Sequence, residues 1–453
     1  MSNQGQAATM VSRFNNRTLV LFPLPFQGHI NPMLQLANIL YTKGFKIIII
    51  HTDFNSPNQS NYPQFTFRSI SDGLSKSKDE SLNLETVNNV INFMNKSCIE
   101  PFTIFLAKLL EVEHAACLIT DSLWPFTQSV ADSLKLKRIV LRTSSMACVP
   151  VYATFALGEK SYFKTAIKEE LALMTENDIE KVYKGGSEKG NKELIYNMIK
   201  ETKASSGIIF NTFKELEEPA LLAISQDFKI PSFPIGPFHK YFPASSSSLL
   251  EQDRSSISWL DHQPVSSVVY VSFGSIAQMG EAEFTKMAWG LAYSKQCFLW
   301  VVRPGSVSGC EWLESLPKGF MEEVGERGCI VKWAPQQEVL AHKAIGSFWT
   351  HNGWNSTLES ICEGVPMICS PCSYDQPINA RYVTDVWKIG VKVDNKMSRE
   401  EIGIAIKRAI TEKEGEKIRQ RSKSLQEKVN QSMQKGGSAY QSLESLVEYI
   451  LSF

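Results

Sequence analysis

Between Trp333 and Gln376 the chain runs through one local unit that admits few folds. An apolar run of strand type, Ile345 to Trp349, leads through Thr350-His351-Asn352-Gly353 into a helical repeat at Leu358, Ile361 and Cys362. Gly353 permits a tight turn, and Asn355-Ser356-Thr357 opens the helix. Strand, glycine turn and helix start together make an anion site, because the first backbone N–H groups of a helix have no partner within it and point outward. His351, Asn355 and Ser356 add side-chain donors at the same place. Glu359 lies one turn further on, on the same face as Asn355 and Ser356. A carboxylate there repels phosphate and suits a ribose diol. Trp333 offers a flat face to a base ring, and Asp375 and Gln376 offer partners for sugar hydroxyls. In order, the stretch reads base, ribose, diphosphate, sugar. Taken alone, Trp333 or Trp354 would read as a core residue; the whole set does not.

The rest of the chain supplies the frame. Thr18 to Leu24 is apolar and strand-like, Pro25 to Pro32 reads as a turn, Met33, Leu36, Ala37 and Leu40 repeat as a helix, and Phe45 to His51 is a second strand. A βαβ start implies a parallel sheet with right-handed crossovers. Such sheets bind ligands beyond the carboxyl ends of their strands. His29 follows one such end. Asp121 closes another, the run Ala115 to Thr120. An imidazole steered by a carboxylate is a general-base pairing. Trp124 and Phe126, with Phe26 and Gln27 near the first strand's end, are candidates for the wall of a ligand pocket. Thr143 follows the strand Arg138 to Leu141. Further on, the strand Val268 to Ser272 meets the turn Phe273-Gly274-Ser275 ahead of a helix over Glu281 to Ala292, so Ser275 is a second candidate diphosphate donor by the same helix-start logic. The serine run Ala244 to Ser248, preceded by Pro243, reads as a linker.

Several function classes are disfavoured. Lys+Arg and Asp+Glu both number 47, so net charge is zero, which argues against nucleic acid or an anionic membrane as the main partner. Met1 to Asn16 is polar with no apolar core of signal-peptide type, and no run approaches about 20 apolar residues. A cytoplasmic protein without membrane insertion is expected. The nine Cys are scattered; Cys369-Ser370-Pro371-Cys372 has no second pair, so reduced thiols are expected. The chain has no Asp-x-Asp, and neither a metal nor another cofactor is expected. Gln27-Gly28-His29-Ile30-Asn31-Pro32 is not the Gly-x-Gly-x-x-Gly of a nicotinamide site.

Trp333-Ala334-Pro335-Gln336-Gln337, Thr350 to Glu359 and Tyr374-Asp375-Gln376-Pro377 resemble, nearly position for position, the signature box of the plant family 1 UDP-sugar glycosyltransferases. The resemblance implies that Trp333 stacks on uracil, with Ala334 beside it in the donor-binding set. It implies that Gln336 and Glu359 meet the ribose, that His351, Asn355 and Ser356 hold the diphosphate, and that Trp354, Asp375 and Gln376 hold the sugar. The terminal Gln376 is associated with glucose donors. His29 and Asp121 become base and orienting acid, and Thr143 approaches the transferred sugar. Asn352 departs from the usual Cys and is expected to point away from the sugar. The implied fold is GT-B: two doubly wound α/β domains facing a cleft, residues 1–240 binding acceptor, 241–255 linking, and 256–437 binding the UDP-sugar, with helix 438–453 returning to the first domain. The implied reaction is inverting transfer of glucose from the co-substrate UDP-glucose to a hydroxyl of a small lipophilic, phenolic or terpenoid acceptor, by a monomer. A glucose ester on a small carboxylic acid, or another UDP-sugar, is the alternative; the closest likeness is to steviol-glycoside and small hydroxy-acid glucosyltransferases. Residues 146–202 depart from relatives. They lack the usual proline-rich segment, with no proline between Pro150 and Pro219 and a charged Lys168-Glu169-Glu170-Leu171, so a remodelled acceptor lobe is expected.

Overall fold

The computed structural model describes residues 17–74, 86–157, 174–182, 188–242, 248, 250–308, 312–394 and 396–453. Residues 243–247 of the serine-rich run and Lys168–Leu171 fall outside them. The chain forms two compact units: Met1–Leu171, Tyr183–Leu249 and Ser432–Phe453 make the first, Ala172–Val182 and Leu250–Gln431 the second.

The first unit is built on seven parallel strands: β1 (Thr18–Phe22), β2 (Lys46–Thr52), β3 (Thr66–Ile70), β4 (Ala115–Asp121), β5 (Arg138–Arg142), β6 (Gly207–Phe210) and β7 (Ser232–Pro234). Their order is β3-β2-β1-β4-β5-β6-β7. Parallel strands covered on both faces read as unbroken apolar runs. In β1, Leu19 and Leu21 pack on one side with Met33, Leu36 and Leu40 of helix α1 (Gln27–Thr42), while Val20 and Phe22 pack on the other with Phe102, Leu106 and Trp124. The order reverses between β1 and β4, whose register pairs Phe22 with Thr120. That reversal opens a crevice at the strands' carboxyl ends.

The second unit repeats the plan with six strands: β8 (Val268–Ser272), β9 (Cys297–Val301), β10 (Gly328–Val331), β11 (Ile345–Thr350), β12 (Met367–Cys369) and β13 (Gly390–Lys392). The order β10-β9-β8-β11-β12-β13 reverses between β8 and β11, where Thr350 lies beside Ser272. Five helices of this unit flank or present the candidate donor residues: α2 (Glu176–Val182), α3 (Glu281–Ser294), α4 (Gln336–Ala341), α5 (Trp354–Cys362) and α6 (Gln376–Arg381). The final helix, α7 (Ser438–Leu451), is a first-unit element. Leu443, Leu446, Val447 and Ile450 enter that unit's core. At about 1.5–3 kcal/mol per fully buried side chain, this stripe alone fastens the chain's end, and the Tyr449 hydroxyl adds a 2.6 Å bond to the Ser206 carbonyl.

Two helix starts differ from the sequence pattern. Pro25, Gly28 and Pro32 read as turn residues, yet α1 begins at Gln27 and contains Pro32. Pro32 forfeits one helical hydrogen bond, and burial of Pro32, Met33 and Leu34 offsets the loss. The sequence pattern reads as a helix from Asn379 to Trp387. The helix α6 begins earlier, at Gln376, with Pro377 in its first turn, where a missing N–H costs little, and a π-helical turn over Tyr382–Val386 comes after it.

Candidate active site

In the first unit the switch point between β1 and β4 gathers three side chains. His29 stands in the first turn of α1, not in a turn ahead of it, and Asp121 is the last residue of β4. His29 Nδ1 lies 2.7 Å from Asp121 Oδ2 and 3.0 Å from Thr143 Oγ1. The Asp121 side chain is wholly buried while that of His29 keeps 23% of its surface open. The other carboxylate oxygen accepts from the Leu123 N–H at 2.9 Å. A carboxylate is the strongest acceptor offered to Nδ1, so it draws the proton there and leaves the Nε2 lone pair to act as a base. Thr143, expected toward the donor sugar, lies against Nδ1, the nitrogen that faces the acid.

The aromatic candidates divide. Trp124 does not wall a pocket: it is fully buried, stacks on Phe22 at 4.8 Å and donates its indole N–H to the Pro23 carbonyl at 3.1 Å. With its one polar atom satisfied by backbone, it is a core residue. Phe26 is 8% exposed and packs edge-on to Phe54. Phe126 is partly open, lying edge-on to Trp124 and Phe102, and Gln27 is likewise partly open. Trp124→Ala is therefore expected to cost about 3–5 kcal/mol of stability through the cavity it leaves, read as a lower denaturation midpoint. A change in acceptor preference at unchanged stability would return Trp124 to the pocket.

In the second unit the switch point between β8 and β11 carries the donor candidates. No side chain caps α5, so its start remains an opening for an anion. Asn355 and Ser356 lie in its first turn. The tight turn ahead of it belongs to Asn352, with φ +62°, and not to Gly353, with φ −57°. The Asn352 side chain is buried and turns into the core, its Nδ2 3.4 Å from Cys369 Sγ. Gly353 is there for space: a Cβ on it would lie 2.6 Å from His351 Nε2, and one on Gly274 would lie 2.8 Å from the same ring. His351 is thus held between two glycines. Ser275 follows Gly274 in the turn after β8, but α3 begins only at Glu281 and carries Glu281 and Glu283 in its first turn. The helix-start argument does not extend to Ser275, which remains a turn hydroxyl.

Gln336 organises the neighbouring corner. Its amide Nε2 donates to Ser356 Oγ at 2.9 Å and to Glu359 Oε2 at 2.7 Å, and its Oε1 accepts from the Tyr270 hydroxyl at 3.2 Å. Gln337 donates to Glu359 Oε1 at 3.0 Å. Trp333 and Ala334 immediately precede α4, with Trp333 partly open and Ala334 buried. Trp354 is buried against Trp387. Gln376 Oε1 accepts from the Cys372 and Ser373 N–H groups at 2.9 and 3.0 Å, and Asp375 accepts from Asn379 at 3.0 Å.

Burial pushes the Glu359 carboxyl up, and the two glutamine amides partly offset this. Burial pushes His351 down to about 4, the Ser272 carbonyl pulling the other way. His351 is therefore an uncharged imidazole near pH 7, with its single N–H on the Ser272 carbonyl. A folded value below the unfolded one near 6.5 means stability fully present above pH 6.5 and lost as pH falls toward 4. Between pH 7 and pH 5 His351 is expected to account for at most roughly 2 kcal/mol of that loss. His351→Gln should flatten the acid side of a denaturation-versus-pH curve by that amount; an unchanged curve would refute it.

Comparison with known proteins fits this geometry. A family model described as UDP-glucoronosyl and UDP-glucosyl transferase matches residues 220–427. UDP-glycosyltransferase 76G1 of Stevia rebaudiana is 51% identical across 99% of this chain and 100% of its own length. UDP-glycosyltransferase 76B1 of Arabidopsis thaliana is 48% identical across 98% of this chain and 100% of its own. The chain belongs to the plant UDP-glycosyltransferases. The crystal structure of Os79 from O. sativa in complex with UDP is similar with a TM-score of 0.83 at 25% identity, covering 95% of this chain and 100% of that one. The transferase has the GT-B fold and is an enzyme of UDP-sugar-dependent glycosyl transfer. Among its described residues no helix is long and apolar enough to cross a membrane, and the eight described cysteines are free thiols.

Sequence reasoning misses three participants. Tyr270 reads as an interior strand residue, yet its hydroxyl holds Gln336. Gln337 passes as a helix residue, yet it shares Glu359. Asp178 lies in the weakly patterned 146–202 stretch, and its partners are about two hundred residues away in sequence. Its nearest local signal is Thr175, which caps the turn three residues ahead of it.

Proposed function

We propose that this transferase moves glucose from UDP-glucose to a hydroxyl of a small lipophilic acceptor, with inversion to the β-glucoside. The observation that carries the reading is the 2.7 Å pairing of His29 Nδ1 with buried Asp121. An alcohol is a poor nucleophile until a positioned base takes its proton. In the proposed step His29 Nε2 accepts that proton while the oxygen attacks the anomeric carbon from the face opposite UDP. The bond from that carbon to the diphosphate oxygen breaks, and UDP leaves with its electron pair. Asp121 stabilises the imidazolium. Charge growing on the diphosphate is met by the N–H groups at the start of α5, with Asn355, Ser356 and His351, and by the Ser275 hydroxyl. Trp333 stacks on the base beside Ala334, Gln336 and Glu359 take the ribose hydroxyls, and Trp354, Asp375 and Gln376 take the sugar. The Gln336–Glu359 contact supports this, since it holds a carboxylate ready for a diol. In this reading the diphosphate needs no metal, and the protein acts in the cytoplasm as a monomer on a plant secondary metabolite.

The test is incubation of the purified protein with UDP-glucose and a panel of phenols, terpenoid alcohols, hydroxy acids and plain carboxylic acids, followed by mass spectrometry. A gain of one hexose on a hydroxyl compound, stable to mild base, is expected. Base-labile products formed only on carboxylic acids would replace hydroxyl transfer with ester formation. Turnover with UDP-galactose but not UDP-glucose would overturn the donor assignment.

A further inference from the structure

The chain of the first unit is interrupted by Ala172–Val182, which belongs to the second. Within this excursion α2 packs against α6, and the contact is built on a buried acid. Asp178 has 1% of its side chain exposed. Its Oδ2 accepts from Arg381 Nη2 at 2.7 Å and Nε at 3.0 Å, and its Oδ1 lies 3.3 Å from Lys392 Nζ. The Thr175 N–H and hydroxyl donate to Oδ2 at 3.0 and 2.7 Å. Burial works to raise the carboxyl, but these donors and cations outweigh it and bring it down to about 2. Arg381 also reaches Asp385 at 3.3 Å.

Arg381 is the last residue of α6 and Gln376 the first. At the other end of the same short helix, the Tyr374 N–H donates to the Lys181 carbonyl of α2 at 3.2 Å. Tyr374 holds a left-handed φ of +59°, a costly conformation for a bulky residue unless its surroundings impose it. The turn 372–376 is closed from within by Gln376 Oε1 on the Cys372 and Ser373 N–H groups. So α2 grips both ends of the six-residue element that presents Asp375 and Gln376: a backbone bond before it, a buried ion pair behind it.

We propose that Asp178 is a positioning residue for the donor sugar, acting through Arg381 and the Lys181 carbonyl to hold Asp375 and Gln376 where the sugar hydroxyls meet them. The inference rests on the reading of Asp375 and Gln376 as sugar contacts. It assigns to an excursion of the acceptor-side chain a share in donor recognition. The ribose and diphosphate candidates, on α4, on α5 and in the turns ahead of α5 and α3, make none of these contacts, so the effect falls on the hexose and spares UDP.

The test separates the inference from the reading beneath it. KM for UDP-glucose and the inhibition constant of UDP are measured for Asp178→Asn, Asp178→Glu, Arg381→Lys and Gln376→Ala, with melting temperature alongside. Asp178→Asn is expected to raise KM for UDP-glucose about tenfold while UDP inhibition moves less than twofold; Asp178→Glu restores part of the loss. Arg381→Lys, which keeps charge but loses the forked contact, shows the same split at smaller size and serves should Asp178→Asn fail to fold. If Gln376→Ala leaves KM for UDP-glucose unchanged, the sugar-contact reading fails and the inference with it. If Gln376→Ala raises KM and the Asp178 and Arg381 variants do not, the reading stands and the inference is overturned. Equal loss of UDP and UDP-glucose binding, tracking a lower melting temperature, reduces Asp178 to a structural ion pair and also overturns it.

Discussion

Replacement of His29 by Ala is expected to lower turnover on a hydroxyl acceptor by roughly 10²–10⁴, with UDP affinity unchanged. The magnitude reflects what the base does. An alcohol holds its proton far above neutral pH, so without a base at bonding distance the attacking oxygen carries full positive charge as the new bond forms. Alignment with the donor survives the substitution, which is why residual transfer above the uncatalysed rate is also expected. UDP affinity is spared because the diphosphate candidates (His351, Asn355, Ser356) stand on the β11–α5 connection in the other unit. Asp121→Asn should fall nearly as far for a different reason. An amide can turn its NH2 group toward Nδ1 and move the ring proton to Nε2, which removes the lone pair that the reaction needs. Initial rates of product formation and calorimetric UDP binding check both variants. Transfer to a neutral alcohol within tenfold of the parent rate would sink the base assignment. Loss confined to hydroxyl acceptors, with carboxylic acids still turned over, would strengthen it, because a carboxylate arrives already ionised.

That prediction can be framed from sequence because parallel strands advertise themselves. β1, β4, β8 and β11 are buried on both faces and so appear as continuous apolar runs with sharp polar ends, and those ends are where a doubly wound sheet places its ligands. His29, Asp121, His351 and Ser356 all fall just at or beyond such ends. Other features do not project onto the sequence in this way. An indole at a strand's end can face a cavity or stack inward, and only the stacking of Trp124 on Phe22 and its bond to the Pro23 carbonyl decide between them. The contact of the Thr143 hydroxyl with His29 is likewise a matter of side-chain direction at a strand end, which no local pattern gives. Ser275 sits in a glycine turn that reads as the approach to a helix, but the helix waits until Glu281. The Asp178–Arg381 pair joins positions 203 apart, and no local pattern connects them. What sequence conveys is the period and the ends of elements; what it withholds is side-chain direction and pairing across long loops.

Gly353→Ala is expected to weaken UDP binding by about 10- to 100-fold, or roughly 1.4–2.7 kcal/mol, with little loss of global stability. The backbone gives no reason for glycine there: φ −57° and ψ 143° are ordinary for alanine, so no strain arises in the chain itself. The constraint is the ring beside it. An alanine Cβ would stand 2.6 Å from His351 Nε2 and 3.2 Å from Cε1, closer than carbon and nitrogen tolerate. A Cβ on Gly274 would likewise stand 2.8 Å from the same ring, so the imidazole occupies space that both glycines leave. Either the imidazole swings out or the start of α5 shifts by most of an ångström, and misplacement of about 1 Å at an electrostatic site can cost about 10²-fold. The cause can be isolated by a cycle. If the clash with the ring is the whole effect, Gly353→Ala combined with His351→Ala binds UDP as well as His351→Ala alone, so the two losses do not add. Additive losses would mean that alanine disturbs the helix start by another route. Retention of parental UDP affinity by Gly353→Ala would show that the ring has room to move and that its packing between two glycines does not matter for the donor. The glycine that reads as a turn former in the sequence is thus kept for the space it leaves, and the turn itself is carried by Asn352.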